Sequence, residues 1–281
     1  MPRYVRLQEL LVGVAGLALL RNLYDGTEAA AAERLDDVRR VLADDALAEG
    51  EWTREADALT GYRAWSESYD EPGNPIVTLE EPAVRALVQA VPLGRALDAA
   101  CGTGRHARLL ADLGHEVTGF DVTPEMLRVA AANVPEARFL EGDLRAVPAD
   151  AASFDLVVCG LALAHLPGLD GAVAELARVT RPGGRLVLSV LHPFQALLGW
   201  HAPFADAEGE RGFVREHPHT HADYLTAFAA AGLRVRGCAE PALTAQLAQA
   251  KRRAFRHLPQ ATTEAYAGLP AVLVWDIEKT G

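Results

Sequence analysis

From residue 94 onward, hydrophobic positions gather into short apolar runs with amphipathic stretches between them. Ala96–Ala100, Glu116–Phe120, Arg138–Leu140, Phe154–Gly160 and Arg185–Leu191 have the length and composition of strands. A stretch reaching Leu113, then Pro124–Asn133 and Ala172–Val179, carry apolar residues at helical spacing. Strands alternating with helices of this length predict βαβ units around a parallel sheet, hence an α/β fold. A helix at Asp223–Ala231 and two late strands, Arg234–Cys238 and Ala271–Ile277, close the chain.

The pattern before residue 70 is helical. Glu28–Leu47 is rich in Ala, Leu, Glu and Arg, with Leu35, Val38 and Leu42 on one face. Thr53–Tyr69 continues it, with Tyr62, Trp65 and Tyr69 at helical intervals, which reads as core packing. Asp70-Glu71-Pro72-Gly73-Asn74-Pro75 is a loop, and the helix after it has Pro82 in its first turn and Val84, Leu87 and Val88 as its buried stripe. The expected organisation is a helical extension over 1–75 and a main domain over 76–281. Residues 194–222, irregular and holding Phe194, Trp200, Phe204, Phe213 and four histidines, read as a small cap insertion.

Composition narrows the options. The 281 residues carry 27 Lys+Arg against 38 Asp+Glu, a net charge of −11. That balance argues against nucleic acid and against an anionic membrane surface as partners. The apolar run 10–20 is shorter than the roughly 20 residues a membrane span needs, and Arg21 ends it without a cleavage site. It is expected to be a buried or interface-forming helix, compatible with a homodimer, in a cytoplasmic protein. Cys101, Cys159 and Cys238 lie far apart in strand-like segments and read as small buried thiols, with neither a disulfide framework nor a cysteine metal site.

The chemistry concentrates in Ala96-Leu97-Asp98-Ala99-Ala100-Cys101-Gly102-Thr103-Gly104-Arg105-His106, a strand ending in an acid, two glycines and a helix start. The glycines let backbone approach a ligand, and the helix start offers free N–H groups. Alone, Gly102-x-Gly104-x-x-Ala107 also fits a dinucleotide fingerprint. Asp98, however, would repel a pyrophosphate, whereas a ligand carrying an ammonium and a sulfonium suits it. Asp121 follows the second strand, where a carboxylate can accept both hydrogen bonds of a ribose diol. Asp143 ends the third strand, at the edge where an adenine would lie, and Asp155 reads as a structural turn residue.

Residues from about 62 to 193 resemble the class I S-adenosylmethionine-dependent methyltransferases, nearest to the quinone and small-molecule branch. Four matches stand in order: D-x-x-C-G-x-G at 98–104, the acid Asp121, G-D-L at 142–144 and R-P-G-G at 181–184. The resemblance implies a Rossmann-like seven-stranded mixed sheet of order 3-2-1-4-5-7-6 with strand seven antiparallel. It implies S-adenosylmethionine as cofactor and S-adenosylhomocysteine as product. It assigns Asp98, Gly102 and Gly104 to the methionine end, Asp121 to the ribose, and Asp143 with Leu144 to the adenine. Tyr69, in the family's Y-D pair with Asp70, would reach the cofactor carboxylate; Ala100, Val122 and Cys159 complete the expected cofactor site. Many members have glycine where this chain has Ala100, a departure small in volume.

For an acceptor with a hydroxyl, a base is needed at the carboxyl ends of the strands. His165 after the fourth strand and His192 after the fifth are the candidate catalytic residues. Neighbouring strands lie about 4.8 Å apart, so both imidazoles are expected to face one pocket. The plainer readings are a capping or loop histidine at 165 and a strand-end residue packed by Pro193 at 192. His217, His219 and His221 alternate on one segment, but Pro218 and the shortage of carboxylates beyond Glu216 and Asp223 set a metal aside; pocket lining or a solvated loop remain. Lys251, Arg252, Arg253 and Arg256 read as a solvated helix face. The expected function is methyl transfer to a small, apolar metabolite, O-methylation favoured, in secondary metabolism, with the cap excluding water. Alternatives are C-methylation of a quinone-like ring, a cofactor-binding fold that catalyses a cyclisation, and a non-catalytic partner subunit.

Overall fold

The computed structural model describes residues 3–206 and 209–281. Met1, Pro2, Ala207 and Glu208, which fall in the expected extension and cap, lie outside the described residues. The chain divides into two units, one of residues 1–55, 73–75 and 242–270, the other of 56–72, 76–241 and 271–281. The division therefore differs from a single boundary at residue 75.

In the larger unit, seven strands form one sheet: β1 (Arg95–Ala99), β2 (Glu116–Asp121), β3 (Arg138–Glu141), β4 (Phe154–Gly160), β5 (Thr180–Leu191), β6 (Leu233–Ala239) and β7 (Val272–Lys279). Their order is β3-β2-β1-β4-β5-β7-β6. The first five run parallel to one another, and β7 runs antiparallel to both β5 and β6. This is the expected Rossmann-like mixed sheet. Its helices are α1 (Ala58–Trp65), α2 (Pro75–Val88), α3 (Arg105–Leu113), α4 (Pro124–Asn133), α5 (Asp170–Val179) and α6 (His221–Ala230). The central strands read as nearly continuous apolar runs because a parallel sheet is covered on both faces; Leu97, Val157, Leu186, Leu188 and Leu273 are all buried.

Ser189 interrupts the run in β5, and its hydroxyl donates to Glu80 of α2 at 2.7 Å. Glu80 is fully buried and also binds Arg105 Nη1 at 2.6 Å and His106 Nε2 at 2.8 Å. Burial opposes its ionisation, but His106 and Arg105 outweigh that and hold its carboxyl down at about 2. One buried carboxylate thus ties α2, β5 and the start of α3 together.

Some local expectations change. Thr53–Tyr69 is not one helix: Gly50–Ala56 is a strand pairing antiparallel with Arg3–Arg6, and the helix starts only at Ala58. Asp57 explains the start, since its Oδ1 accepts the Thr60 amide at 2.7 Å as an N-cap. Cys101 and Cys159 are buried, but Cys238 is exposed because β6 is an edge strand. In the smaller unit, helix Leu7–Arg21 buries Leu11, Val14, Ala15 and Ala18 while Leu10 and Leu20 stay exposed. Its Arg21 guanidinium donates to the carbonyls of Glu264, Ala265 and Ala267 at 2.8–3.0 Å. A cation there complements the negative end of helix Pro259–Tyr266. Lys251 is half-buried, its ammonium 5.9 Å from the Tyr266 ring centroid, unlike the exposed Arg252 and Arg253. Among the described residues, no helix is long and apolar enough to cross a membrane.

Candidate active site

A cavity of about 280 Å³ opens at the carboxyl ends of the parallel strands of the larger unit, where open α/β sheets bind ligands. The loop after β1 contributes Ala100 and Gly102, the β2 end Asp121, Val122 and Thr123, and the β3 end Asp143, Leu144 and Arg145. Leu161, Ala162 and His165 follow β4, and Asp57, Tyr62 and Tyr69 close the wall opposite.

The β1 loop is bent into an unusual path. Ala100 has φ +55° and Gly102 φ +53°. A Cβ built on Gly102 would project into space clear for 4 Å, a cradle that glycine leaves open. The Gly102 amide donates to Asp121 Oδ2 at 2.9 Å, and the Thr123 amide to Oδ1 at 2.8 Å. The Val122 amide and the Thr123 hydroxyl also act on this carboxylate, so its donors hold it in place beside the cavity. Burial raises its pKa. Leu161 is a second non-glycine residue at positive φ in this wall, at φ +57°; such strain concentrates where a site needs a particular backbone path.

Four of the expected site residues are not in the wall. Asp98 is buried, and its Oδ2 accepts the Ala107 amide at 2.7 Å, fixing the start of α3. Burial lifts its carboxyl to about 6. Gly104 is the N-cap of α3 with φ +86°, and a Cβ there would lie 3.2–3.3 Å from Ala130, so its role is close helix packing. Cys159 faces the core because alternate residues of β4 point to opposite faces of the sheet. His192 does not share the cavity with His165, contrary to expectation. Its Nδ1 accepts the Phe194 amide at 3.2 Å and its Nε2 lies 3.1 Å from Glu240.

His165 does line the cavity, in a 3₁₀ turn over Leu163–His165. Its Nδ1 lies 2.9 Å from the Arg215 carbonyl, which can only accept, so Nδ1 carries the proton and Nε2 the lone pair. That lone pair meets the Tyr62 hydroxyl at 2.7 Å. Burial lowers the His165 pKa, keeping the ring neutral, and raises that of Tyr62. Glu216, also buried, places Oε1 3.7 Å from His165 Nε2. Burial pushes its carboxyl up to about 8. Tyr62 also packs on Trp65 and Tyr69 with ring centroids 6.0 and 5.9 Å away. Tyr62 read as core from its spacing, and Glu216 only as a carboxylate beside the histidine run; their partner His165 stands 103 positions from Tyr62.

At the adenine end, Asp143 and Leu144 are in the wall. Asp143 binds Arg145 through the Arg145 amide at 2.7 Å and the guanidinium at 2.6 and 2.9 Å, and these hydrogen bonds hold its carboxyl below the usual range. His217, His219 and His221 do not converge: His219 Nε2 donates to the Leu166 carbonyl at 2.7 Å, while His221 turns to Glu240.

Comparison with known proteins agrees with this geometry. Residues 97–188 match the methyltransferase domain family. The chain is 40% identical over 107 residues to the demethylmenaquinone methyltransferase of Renibacterium salmoninarum, covering 38% of this chain and 45% of that protein. It is 38% identical over 109 residues to the malonyl-[acyl-carrier protein] O-methyltransferase of Enterobacter lignolyticus, covering 39% and 43%. The chain thus spans about half the length of the curated relatives it matches. An S-adenosylmethionine-dependent methyltransferase from Mesorhizobium loti has the same fold, with a TM-score of 0.56 at 24% identity over 73% of this chain and all of that one.

Proposed function

We propose that the chain, whose residues 97–188 match the methyltransferase domain family, uses S-adenosylmethionine to O-methylate a small, mostly apolar metabolite bearing a hydroxyl. The carrying observation is the Tyr62–His165 pair in the cavity wall, with the imidazole lone pair already directed at the phenol.

The residues present fit the cofactor. The open cradle at Gly102 and the Asp121 carboxylate in the cavity wall would hold its ribose and adjoining backbone-facing atoms. Val122, Asp143 and Leu144 would border the adenine, and Ala100 and Tyr69 the methionine end. Asp98, Gly104 and Cys159 support that site from behind. When bound, S-adenosylmethionine supplies a methyl carbon already activated by its sulfonium. The protein has then to align the acceptor, exclude water and take one proton.

His165 takes that proton through Tyr62. The acceptor hydroxyl donates to the Tyr62 oxygen while the Tyr62 proton passes to His165 Nε2. The resulting imidazolium is held by the Arg215 carbonyl at Nδ1. The Tyr62 pKa is raised, so the phenol relays a proton rather than standing ionised. A carboxylate acceptor, the group a malonyl thioester presents, suits this wall less. Its one guanidinium among the described lining residues, Arg145, is already bonded to Asp143. C-methylation of a quinone-like ring, in keeping with the name of the Renibacterium relative, is the second reading, with the same pair stabilising an enolised ring oxygen.

The test is incubation of the protein with S-adenosylmethionine and a panel of phenols, hydroxyquinones and malonyl thioesters, with product and S-adenosylhomocysteine quantified together. O-methyl ether formed in equal amount to S-adenosylhomocysteine supports the proposal. Methyl ester or C-methyl product, or conversion without S-adenosylhomocysteine, overturns it.

A further inference from the structure

We propose that His192, His221 and Glu240 form a binding site for a divalent cation of the zinc class, apart from the cavity described above. The three side chains come from different elements: His192 follows β5, His221 opens α6, and Glu240 follows β6. Their ligand atoms all lie within 4.8 Å of one another. Glu240 Oε1 stands 3.1 Å from His192 Nε2 and 2.7 Å from His221 Nε2. Tetrahedral ligands at zinc distances of about 2.0–2.2 Å stand about 3.3–3.6 Å from each other. Each nitrogen is therefore within a fraction of an ångström of the edge length the ion requires on the carboxylate.

The donor set selects the ion. Two imidazoles and one carboxylate suit zinc and its neighbours, whereas magnesium and calcium prefer all-oxygen sets. The burial supports an open site. His192 is buried, while His221 and Glu240 have 42% and 47% of their side chains exposed, so water has access to the remaining positions. The His221 ring is also braced edge-on by Trp275, with centroids 5.7 Å apart.

Uptake has a local consequence. His192 now receives the Phe194 amide at Nδ1, so the ring proton sits on Nε2. To ligate through Nε2 the neutral ring moves that proton to Nδ1, and the Phe194 amide loses its acceptor. The cation thereby exchanges one helix cap, at the start of Pro193–Leu197, for a bond to the metal.

The test is calorimetric titration of ZnCl₂ into the tag-free, EDTA-treated full chain. One equivalent is expected per chain, with binding weakened at least about 100-fold by His221→Ala or Glu240→Gln, beyond the ~10–100-fold that outer partners cost. His217→Ala, on the same segment but outside the cluster, should bind as the wild type does. Cobalt(II) should give the visible bands of a four-coordinate ion with wild type and lose them with Glu240→Gln, a mild change at an exposed position. Hydrogen exchange at Phe194 should quicken when zinc is added. Less than one equivalent bound, or binding that survives both His221→Ala and Glu240→Gln, overturns the proposal.

Discussion

β4 and β5 are adjacent parallel strands, and each leads into a histidine paired with a glutamate, yet the two ends are built for opposite chemistry. After β4, the Arg215 carbonyl accepts a hydrogen bond from Nδ1–H of His165, leaving the Nε2 lone pair to face Tyr62 in the cavity. After β5, the Phe194 amide claims Nδ1 of His192, so Nε2 is the donor, and it points to Glu240. The glutamates differ in the same sense. Glu216 is buried and its carboxyl is raised to about 8, while Glu240 is exposed and is held low by hydrogen bonds from His192 and His221. Strand order puts two imidazoles at one end of a sheet; the partners of the Nδ1 atoms decide which ring keeps a lone pair at Nε2.

The sharpest way to break this comparison is to remove each ring. His165→Ala should lower acceptor methylation by about 10²–10⁴-fold, the usual worth of a positioned base. Tyr62→Phe should fall in the same range, and His192→Ala should cost less than about tenfold. Initial rates with the acceptor found by the panel check this. Equal losses at 165 and 192 would erase the distinction.

The two glutamates offer a pH test on stability. Glu216 has a folded-state value of about 8, above the ordinary carboxyl range. Its neutral form contributes fully below about pH 4.5, and that contribution is lost as pH rises through 8. Urea unfolding should therefore show wild type weakening by about 2–4 kcal/mol relative to Glu216→Gln between pH 5 and 8. A constant difference would mean that Glu216 ionises normally.

Cofactor affinity should separate from base chemistry. Asp121→Ala should weaken S-adenosylmethionine binding by about 30–100-fold, or about 2–3 kcal/mol, while His165→Ala leaves it near wild type; calorimetry measures both. The smallest effect concerns backbone strain. Ala100 holds φ +55° in the wall, so Ala100→Gly should stabilise the fold by about 1 kcal/mol in urea melts. A loss of stability would mean that the Ala100 methyl contributes packing worth more than the strain.

What was legible in the sequence followed from local rules. Alternating apolar runs and helices gave the sheet, and the resemblance gave its order, because each depends on neighbours in the chain. Gly102, Asp121 and Leu144 were readable since strand ends and their loops occupy fixed places in such a sheet. Cys159 sits in the core rather than the cavity wall, since alternate residues of a strand face opposite sides of the sheet. Tyr62 was hidden because a helical spacing of aromatics is the same for core and for cavity wall. Glu216 and Glu240 reach their histidines from distant segments, and no spacing rule encodes such meetings. The same is true of residues 242–270, which join the N-terminal segment in one unit.

A crystal structure with S-adenosylhomocysteine tests the central claim most directly. The account expects the product ribose on the Asp121 carboxylate, with its sulfur side open toward Tyr62 and His165. Density for the product elsewhere, or a ribose seated without Asp121, would contradict it.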